Sequence, residues 1–238
     1  MSADNTGGTD GGAPDLGSSA FFYSALRTPQ EERARRRYLR GKRVADVVVS
    51  GLGLVATAPV MAVIAAAIKA ESPSVPVLFR QRRVGLEGEF FTILKFRTMA
   101  PDPEARRLAL TATGDSEVTR VGRVLRASKL DELPQLVNVL RGDMSLVGPR
   151  PEVPEFVAWW EHGDRDEILS MRPGITDPAS VEFRNEGDLL AAQPDPARFY
   201  IYELLPRKTA RYVEYVRNAS WRTDLRVVAD TVVAVLRG

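Results

Sequence analysis

Val47 to Ile68 reads VVVSGLGLVATAPVMAVIAAAI, a run of 22 residues without a charge. As a straight helix it would rise about 33 Å, enough to cross a bilayer hydrocarbon core of roughly 30 Å. The alternative is a buried helix of a soluble protein, in which uncharged runs of this length are unusual. Two features complicate a simple span. Pro59 lies near the middle, where it removes one backbone hydrogen bond and kinks a helix. Positive charge lies on both flanks: seven basic residues in EERARRRYLRGKR, residues 31–43, and then Lys69, Arg80, Arg82 and Arg83. Basic flanks favour the cytoplasmic side. If both obey that rule, the segment enters and returns on one face as a helix–break–helix, broken at Ala58 and Pro59. A kinked single span suits the residues equally well, because proline is tolerated in spanning helices. The basic run suits anionic lipid head groups, although a solvated helix face would carry the same charges.

Outward from this segment the chain divides into three parts. Residues 1–30 are rich in Gly, Ser, Asp and Pro and read as a disordered tail without the pattern of a signal peptide. Residues 31–72 hold the basic flank and the apolar segment. Residues 73–238 are long enough for one catalytic domain with its own core. The formal net charge of the whole chain is only +2, which argues against a nucleic-acid partner. There is no Cys and a single His, His162. Thiolate chemistry and multi-His metal sites are therefore excluded. A metal would be held by carboxylates, water and substrate, which points to Mg²⁺ or Mn²⁺.

In the third part, residues 77–82 and 90–97 have strand composition around the turn GLEGE, which predicts a β-hairpin. Short helices are expected over 103–110 and in VGRVLRA, LPQLVNVLR, EFVAWWEH and DEILSM. GDMSLVGPRPEVP and RPGITDPAS read as loops, the first with three prolines and two glycines in thirteen residues. PARFYIYELLPRKTARYVEYVRN reads as a helix pair or a helix broken at Pro206. WRTDLRVVADTVVAVLR closes the chain as an amphipathic helix. Its wet face is Arg222, Asp224, Arg226 and Asp230, and its apolar face is Trp221, Leu225, Val228, Val232 and Leu236. Such a helix lies on a membrane surface or packs its apolar face on its own domain. The expected fold class is α/β, mostly helical with a small β-hairpin or sheet, membrane-associated through a re-entrant N-terminal helix and amphipathic interfacial helices.

Ser128 to Gln135 reads SKLDELPQ, with Asp131 and Glu132 side by side and Pro134 two residues later. Proline is accepted in the first turn of a helix. With Asp131 as N-cap, both acids sit at the positive end of a helix, which favours their ionised forms. Ser128 with Asp131 as a capping box is an alternative. Basic residues crowd the motif: Arg120, Arg123, Arg126 and Lys129 before it, Arg141 and Arg150 after it. Lys95 and Arg97 have strand spacing and can share a face. Ionised carboxylates amid cations and Gly/Pro-rich loops suit a phosphate site, in which a metal bridges phosphate to carboxylate. A carboxylate can also attack phosphorus itself. Each arginine alone would more often be solvated surface.

Together KRVADVVVSGLGLVATAPV, PVLFRQRRVG, ILKFRTM, LRASKLDELPQLVNVLRGDMSLVGPRP and RPGIT closely resemble the bacterial sugar transferases, the small monotopic phosphoglycosyl transferases. The resemblance runs from about Lys42 to at least Thr176 and is looser beyond. It implies transfer of a sugar-1-phosphate from a UDP-sugar to polyprenyl (undecaprenyl) phosphate, with release of UMP. That step begins exopolysaccharide, capsule, O-antigen or glycoprotein glycan assembly. It implies Asp131 as nucleophile and Mg²⁺ ligand, and Glu132 as its dyad partner. It implies phosphate or nucleotide contacts from Arg126, Lys95, Arg97, Arg172 and the GPRP loop, that is Pro149, Arg150 and Pro151. It places the re-entrant break at Ala58 and Pro59, which decides for the hairpin. It also implies the cytoplasmic face of a bacterial inner membrane, contact with anionic lipids, and room for downstream glycosyltransferases or a homodimer.

The stretch RPGITDPASVEFRNEGDLL departs from many relatives after RPGIT, which leaves the sugar undetermined. An alternative from another class is an inactive membrane-anchored scaffold for glycan-assembly enzymes, against which the retained Asp131, Glu132, Arg126 and Arg150 argue.

Overall fold

A computed structural model of the protein describes residues 28–100 and 118–236. Most of the expected tail and the helix expected over 103–110 lie outside the described residues. The elements in order are α1 (Pro29–Glu71), β1 (Leu78–Val84), β2 (Phe90–Phe96), α2 (Arg120–Ser128), α3 (Gln135–Arg141), β3 (Ser145–Val147), α4 (Pro154–Val157) and α5 (His162–Leu169). There follow β4 (Gly174–Thr176), α6 (Pro178–Glu182), α7 (Glu186–Ala191), α8 (Pro196–Phe199), α9 (Leu205–Arg217) and α10 (Trp221–Leu236). The fold is mostly helical, with an antiparallel pair β1–β2 and a parallel pair β3–β4.

α1 begins where a capping box places it. Thr28 accepts from the Glu31 amide, the Glu31 side chain accepts from the Thr28 amide, and Pro29 stands in the first turn. From there 43 residues form one helix, about 64 Å at the usual rise. The break expected at Ala58 and Pro59 is therefore corrected: both residues are exposed and helical, with no interruption. One missing hydrogen bond does not end a helix that packs on both sides of it. Two residues before Pro59, Thr57 turns its hydroxyl onto the Gly53 carbonyl at 2.7 Å, a bond of the kind that bends helices.

Both ends of α1 are tied to the same domain. Near its start Lys42 is buried and pairs with Asp224 of α10 at 2.7 Å. Tyr38 and Tyr215 also donate to Asp224, at 2.9 and 2.6 Å. Burial and this carboxylate push both phenols up, so they remain donors. Arg43 donates to the Val139 and Leu140 carbonyls at the end of α3, and Asp46 accepts from the Leu146 amide at 3.1 Å. At the other end Ile64 and Ile68 pack with Phe96 and Leu125. There Glu71 accepts from the Arg120 and Val121 amides at the start of α2. The opposite face of α1 carries exposed Val44, Val48, Leu52, Val55 and Val63. The helix is long and apolar enough to cross a membrane by length and composition.

α10 corrects a second expectation. Asp224, assigned from sequence to the wet face, is buried at 6% exposure, and Val227 is buried beside it. Of the two orientations open to its apolar stripe, the structure takes the outward one: Trp221, Leu225, Val228 and Val232 are 47, 69, 41 and 52% exposed. The ion pair with Lys42 turns the helix this way round. The main core lies elsewhere, where Trp160, Ile168, Leu190, Tyr200, Leu204 and Tyr212 pack together. The expected break at Pro206 is a short π-helical stretch over Tyr200–Leu204, after which Pro206 sits in the first turn of α9. Pro206 lacks only an N–H that a first turn does not use.

Removing Asp224 leaves Lys42 buried without a counter-charge. Asp224→Ala is expected to cost about 3–5 kcal/mol, read as a lower thermal unfolding midpoint in detergent. Adding Lys42→Met should recover much of that loss, and no recovery would show that the pair does not act as a unit.

Candidate active site

The site is assembled by one buried side chain outside it. Asn138 of α3 is fully buried and bonds the edge of β2 twice. Its Oδ1 accepts from the Leu94 amide at 3.0 Å and its Nδ2 donates to the Thr92 carbonyl at 2.8 Å. This docks α3 alongside the hairpin. β1 and β2 pair so that Phe79 faces Lys95, Gln81 faces Ile93 and Arg83 faces Phe91. Opposed residues share a face, so Arg83, Ile93 and Lys95 look toward α3.

The dyad does not sit at a helix cap. α2 ends at Lys129, whose φ of 58° is left-handed. Leu130–Glu132 form a single 3₁₀ turn, Pro134 takes the cap position, and α3 starts at Gln135. Asp131 as N-cap is thereby corrected. The capping box is corrected too, because the Ser128 hydroxyl donates backward to the Val124 and Leu125 carbonyls. The left-handed residue and the tight turn put Asp131 and Glu132 between two helices instead of at the head of one.

Their charges are consequently unequal. Glu132 lies 2.6 Å from Lys95 Nζ and 3.8 Å from Arg150. Burial alone would raise its pKa, but Lys95 and Arg150 outweigh burial and hold it at about 2. Burial pushes Lys95 down against the pull of Glu132. Asp131 goes the other way: burial first, then the charge of Glu132, raises it, against Lys95, Lys129 and Arg126. Its Oδ1 is buried and accepts no hydrogen bond. The site thus holds one carboxylate neutralised by two cations and one left free.

The stretches expected to be loops around Arg150 contain β3 and β4. Each is three residues long and paired only with the other, so neither carries a local strand signal. Ser145 donates to Pro173, Gly148 to Thr176 and Gly174 to Pro149. Gly148 and Gly174 make this possible. A Cβ on Gly148 would strike the Arg172 carbonyl, and one on Gly174 the Gly148 amide. The crossing delivers Arg150, whose guanidinium reaches Glu132 on one side and the Ser180 hydroxyl, at 3.4 Å, on the other. Ser180 in turn donates to buried Asp177. Burial would lower Arg150, but Glu132, Asp177 and Glu152 raise it above the usual range, so its charge is fixed.

The structure brings together Asp131, Glu132, Lys95 and Arg150, with Arg126 near Asp131 and bonded to Thr98 Oγ1 at 3.0 Å. Pro151 accepts from Arg83 at 3.0 Å and Pro149 from Gly174, so both frame the loop. Arg97 and Arg172 do not join the cluster: they donate to the Pro76 and Gly142 carbonyls. Several residues of the surroundings escaped the sequence reading. Glu152 is buried between Lys208 at 3.4 Å and Arg83 at 3.7 Å, with Tyr200 donating to it. Gln135 is buried four residues after Asp131, a helical spacing that the sequence did display. Lys208 carried no such signal, since it reaches the site only through the folded α9.

A bacterial sugar transferase family model matches residues 37–238. A UDP-glucose:undecaprenyl-phosphate glucose-1-phosphate transferase of Caulobacter vibrioides is 41% identical over 82% of the chain and 69% of its own length. A UDP-N-acetylgalactosamine-undecaprenyl-phosphate N-acetylgalactosaminephosphotransferase of Aeromonas hydrophila is 38% identical over 83% of the chain and 44% of its own length. A UDP-glucose:undecaprenyl-phosphate glucose-1-phosphate transferase of Escherichia coli is 36% identical, covering 80% of the chain and 39% of that protein. The chain thus spans less than half the length of the last two. It belongs to the bacterial sugar transferase family and is an enzyme of the phosphoglycosyl transferase type. The relatives' names differ in the sugar.

Gly148→Ala should push the GPRP loop off the Arg172 carbonyl and move Arg150. Displacements of about 1 Å at a site can cost on the order of 100-fold in rate. Transferase turnover is expected to fall by about that factor while far-UV circular dichroism is unchanged. Full turnover would show that the loop tolerates the shift.

Proposed function

We propose that this enzyme transfers a sugar-1-phosphate from a UDP-sugar to polyprenyl (undecaprenyl) phosphate through a covalent intermediate on Asp131. The observation that carries this is the unequal dyad: a buried Asp131 oxygen without a partner, beside a Glu132 already neutralised by Lys95 and Arg150. Burial makes the Asp131 carboxylate more basic and therefore more nucleophilic. In the first step its oxygen bonds to the β-phosphorus of the donor. The bond from that phosphorus to the bridging oxygen breaks, and its electron pair leaves with UMP. In the second step a phosphate oxygen of the polyprenyl acceptor bonds to the same phosphorus. The acyl-phosphate bond breaks and its electrons return to the Asp131 carboxylate. Lys95, Arg126 and Arg150 are the cations that offset phosphate charge during both steps, and Glu132 holds Lys95 and Arg150 in place.

A divalent cation, Mg²⁺ or Mn²⁺, would be held by the Asp131 carboxylate, a hard oxygen donor, through the oxygen that does not attack. No cluster of three His, Cys, Asp or Glu occurs among the described residues, in keeping with a metal shared with substrate. When bound, the ion would neutralise charge that otherwise repels an anionic nucleophile.

The membrane setting follows from α1 and α10. Both ends of α1 are held by the same domain, so its exposed apolar row meets the bilayer from the side of that domain. Exposed Val44, Val48, Leu52 and Val55 face lipid, as do Trp221, Leu225, Val228 and Val232. Arg33, Arg37 and Arg40, exposed on the same side of α1 as Val44, meet anionic head groups at the cytoplasmic face. A domain held there meets a lipid-borne phosphate and a cytosolic sugar nucleotide without moving either across the membrane. The product is the first lipid-linked sugar of a membrane glycan.

The test is UMP release from a panel of UDP-sugars by protein in detergent with undecaprenyl phosphate and Mg²⁺, wild type beside Asp131→Asn. Wild type should release UMP with at least one donor, and chelation of the metal should stop it. Asp131→Asn should lose essentially all activity and fail to retain radiolabelled phosphosugar after denaturation. Equal release by both proteins would sink the Asp131 step.

A further inference from the structure

A small cavity of about 10 Å³ lies between the hairpin, α3 and the GPRP loop. It has room for one water-sized group. Four hydrogen-bond donors line it, Arg83, Lys95, Gln135 and Arg150, over Ile93 and Gly174, and no carboxylate is among its lining residues. Two of the donors are unspent. Gln135 is only 2% exposed and its Nε2 has no partner; Arg83 Nε is likewise buried and unpaired, although the rest of that guanidinium is engaged by Pro151 and Gln81. A buried amide donor without a partner is destabilising. Gln135 opens α3 directly after the 3₁₀ turn that carries the unpaired Asp131. Lys95 joins the two, since it lines the cavity and contacts the dyad.

We infer that this cavity is an oxyanion hole for one non-bridging oxygen of the transferring phosphoryl group, with Gln135 a catalytic residue as its neutral donor. The accessible space of about 10 Å³ suits a single oxygen, with the rest of the group outside, against Asp131. Its lining offers donors where negative charge accumulates as the phosphorus changes partners, and these donors are fixed before substrate arrives. Such groups act mainly on the transition state, not on ground-state affinity. Arg83 is carried to the cavity by its strand register with Phe91, and Glu152 holds it there. The other occupant of this size is a buried water, which would satisfy the same donors without touching substrate.

The inference rests on the phosphoryl-transfer reading, and wild-type UMP release tests that reading separately. Gln135→Met keeps the length of the side chain and deletes the donor. The full chain in detergent is assayed for kcat and for KM of the active UDP-sugar, and its thermal unfolding midpoint is measured alongside. Expected is a fall in kcat of about 100-fold, the usual loss for one such donor. KM should stay within threefold, and the midpoint should be equal or higher because an unpaired buried amide has gone. A kcat reduced less than tenfold would assign the cavity to water. A change confined to KM would make Gln135 a ground-state contact, and a lowered midpoint would make it a packing residue; either overturns the proposal.

Discussion

Glu132 bears its charge in a nearly closed space, between Lys95 at 2.6 Å and Arg150 at 3.8 Å. A carboxylate in such a place is tolerable only when its counter-charges arrive with it. One arrives on β2, the other on the loop after β3, and Glu132 itself sits on the turn between α2 and α3. Three separated parts of the chain must therefore converge for any of them to be stable. The same demand leaves Asp131 without a direct ion pair among the described residues, because Lys95 and Arg150 are committed to its neighbour. The reactivity proposed for Asp131 thus comes from an arrangement that stabilises a different residue.

Convergence is enforced by backbone bonds more than by the charges. Asn138 fastens α3 to the edge of β2, and the paired glycines let β3 and β4 approach closely enough to present Arg150. Behind them Glu152, Lys208, Arg83 and Tyr200 form a second buried polar group with matched signs. Such a network holds its members in position, here with Arg83 Nε left over. Three of the buried polar atoms without partners among the described residues, Asp131 Oδ1, Gln135 Nε2 and Arg83 Nε, are in or beside the dyad and its small cavity, where a substrate would supply what is missing.

The same logic of buried charge shapes the membrane side. Asp224 gathers Lys42, Tyr38 and Tyr215, and in doing so rotates α10 so that its apolar stripe faces outward. A helix that would bury that stripe in a soluble protein here offers it to the surroundings, beside the exposed apolar row of α1. The long helix is held at both ends, so bilayer entry by its middle is compatible with a domain that stays on one side.

The apolar run, the hairpin, the helices around SKLDELPQ and the dyad itself were legible in the sequence, because each is encoded by near neighbours: an uncharged stretch, alternating residues around a glycine turn, two acids amid cations. Lys95 and Arg150 were named among the cations of the dyad from the residues and from the resemblance alike, but so were Arg97 and, by resemblance, Arg172, which turn away to backbone carbonyls. The orientation of α10 was open in the sequence for a similar reason, and only the wet-face place given to Asp224 is overturned. A hydrophobic stripe says which residues share a face, not which face is turned inward. The strands β3 and β4, the unequal charges of Asp131 and Glu132, and the cavity beside Gln135 were decided by tertiary structure alone. Each depends on contacts between residues distant in the chain, and a pKa or a pairing set by such contacts has no local signature to read.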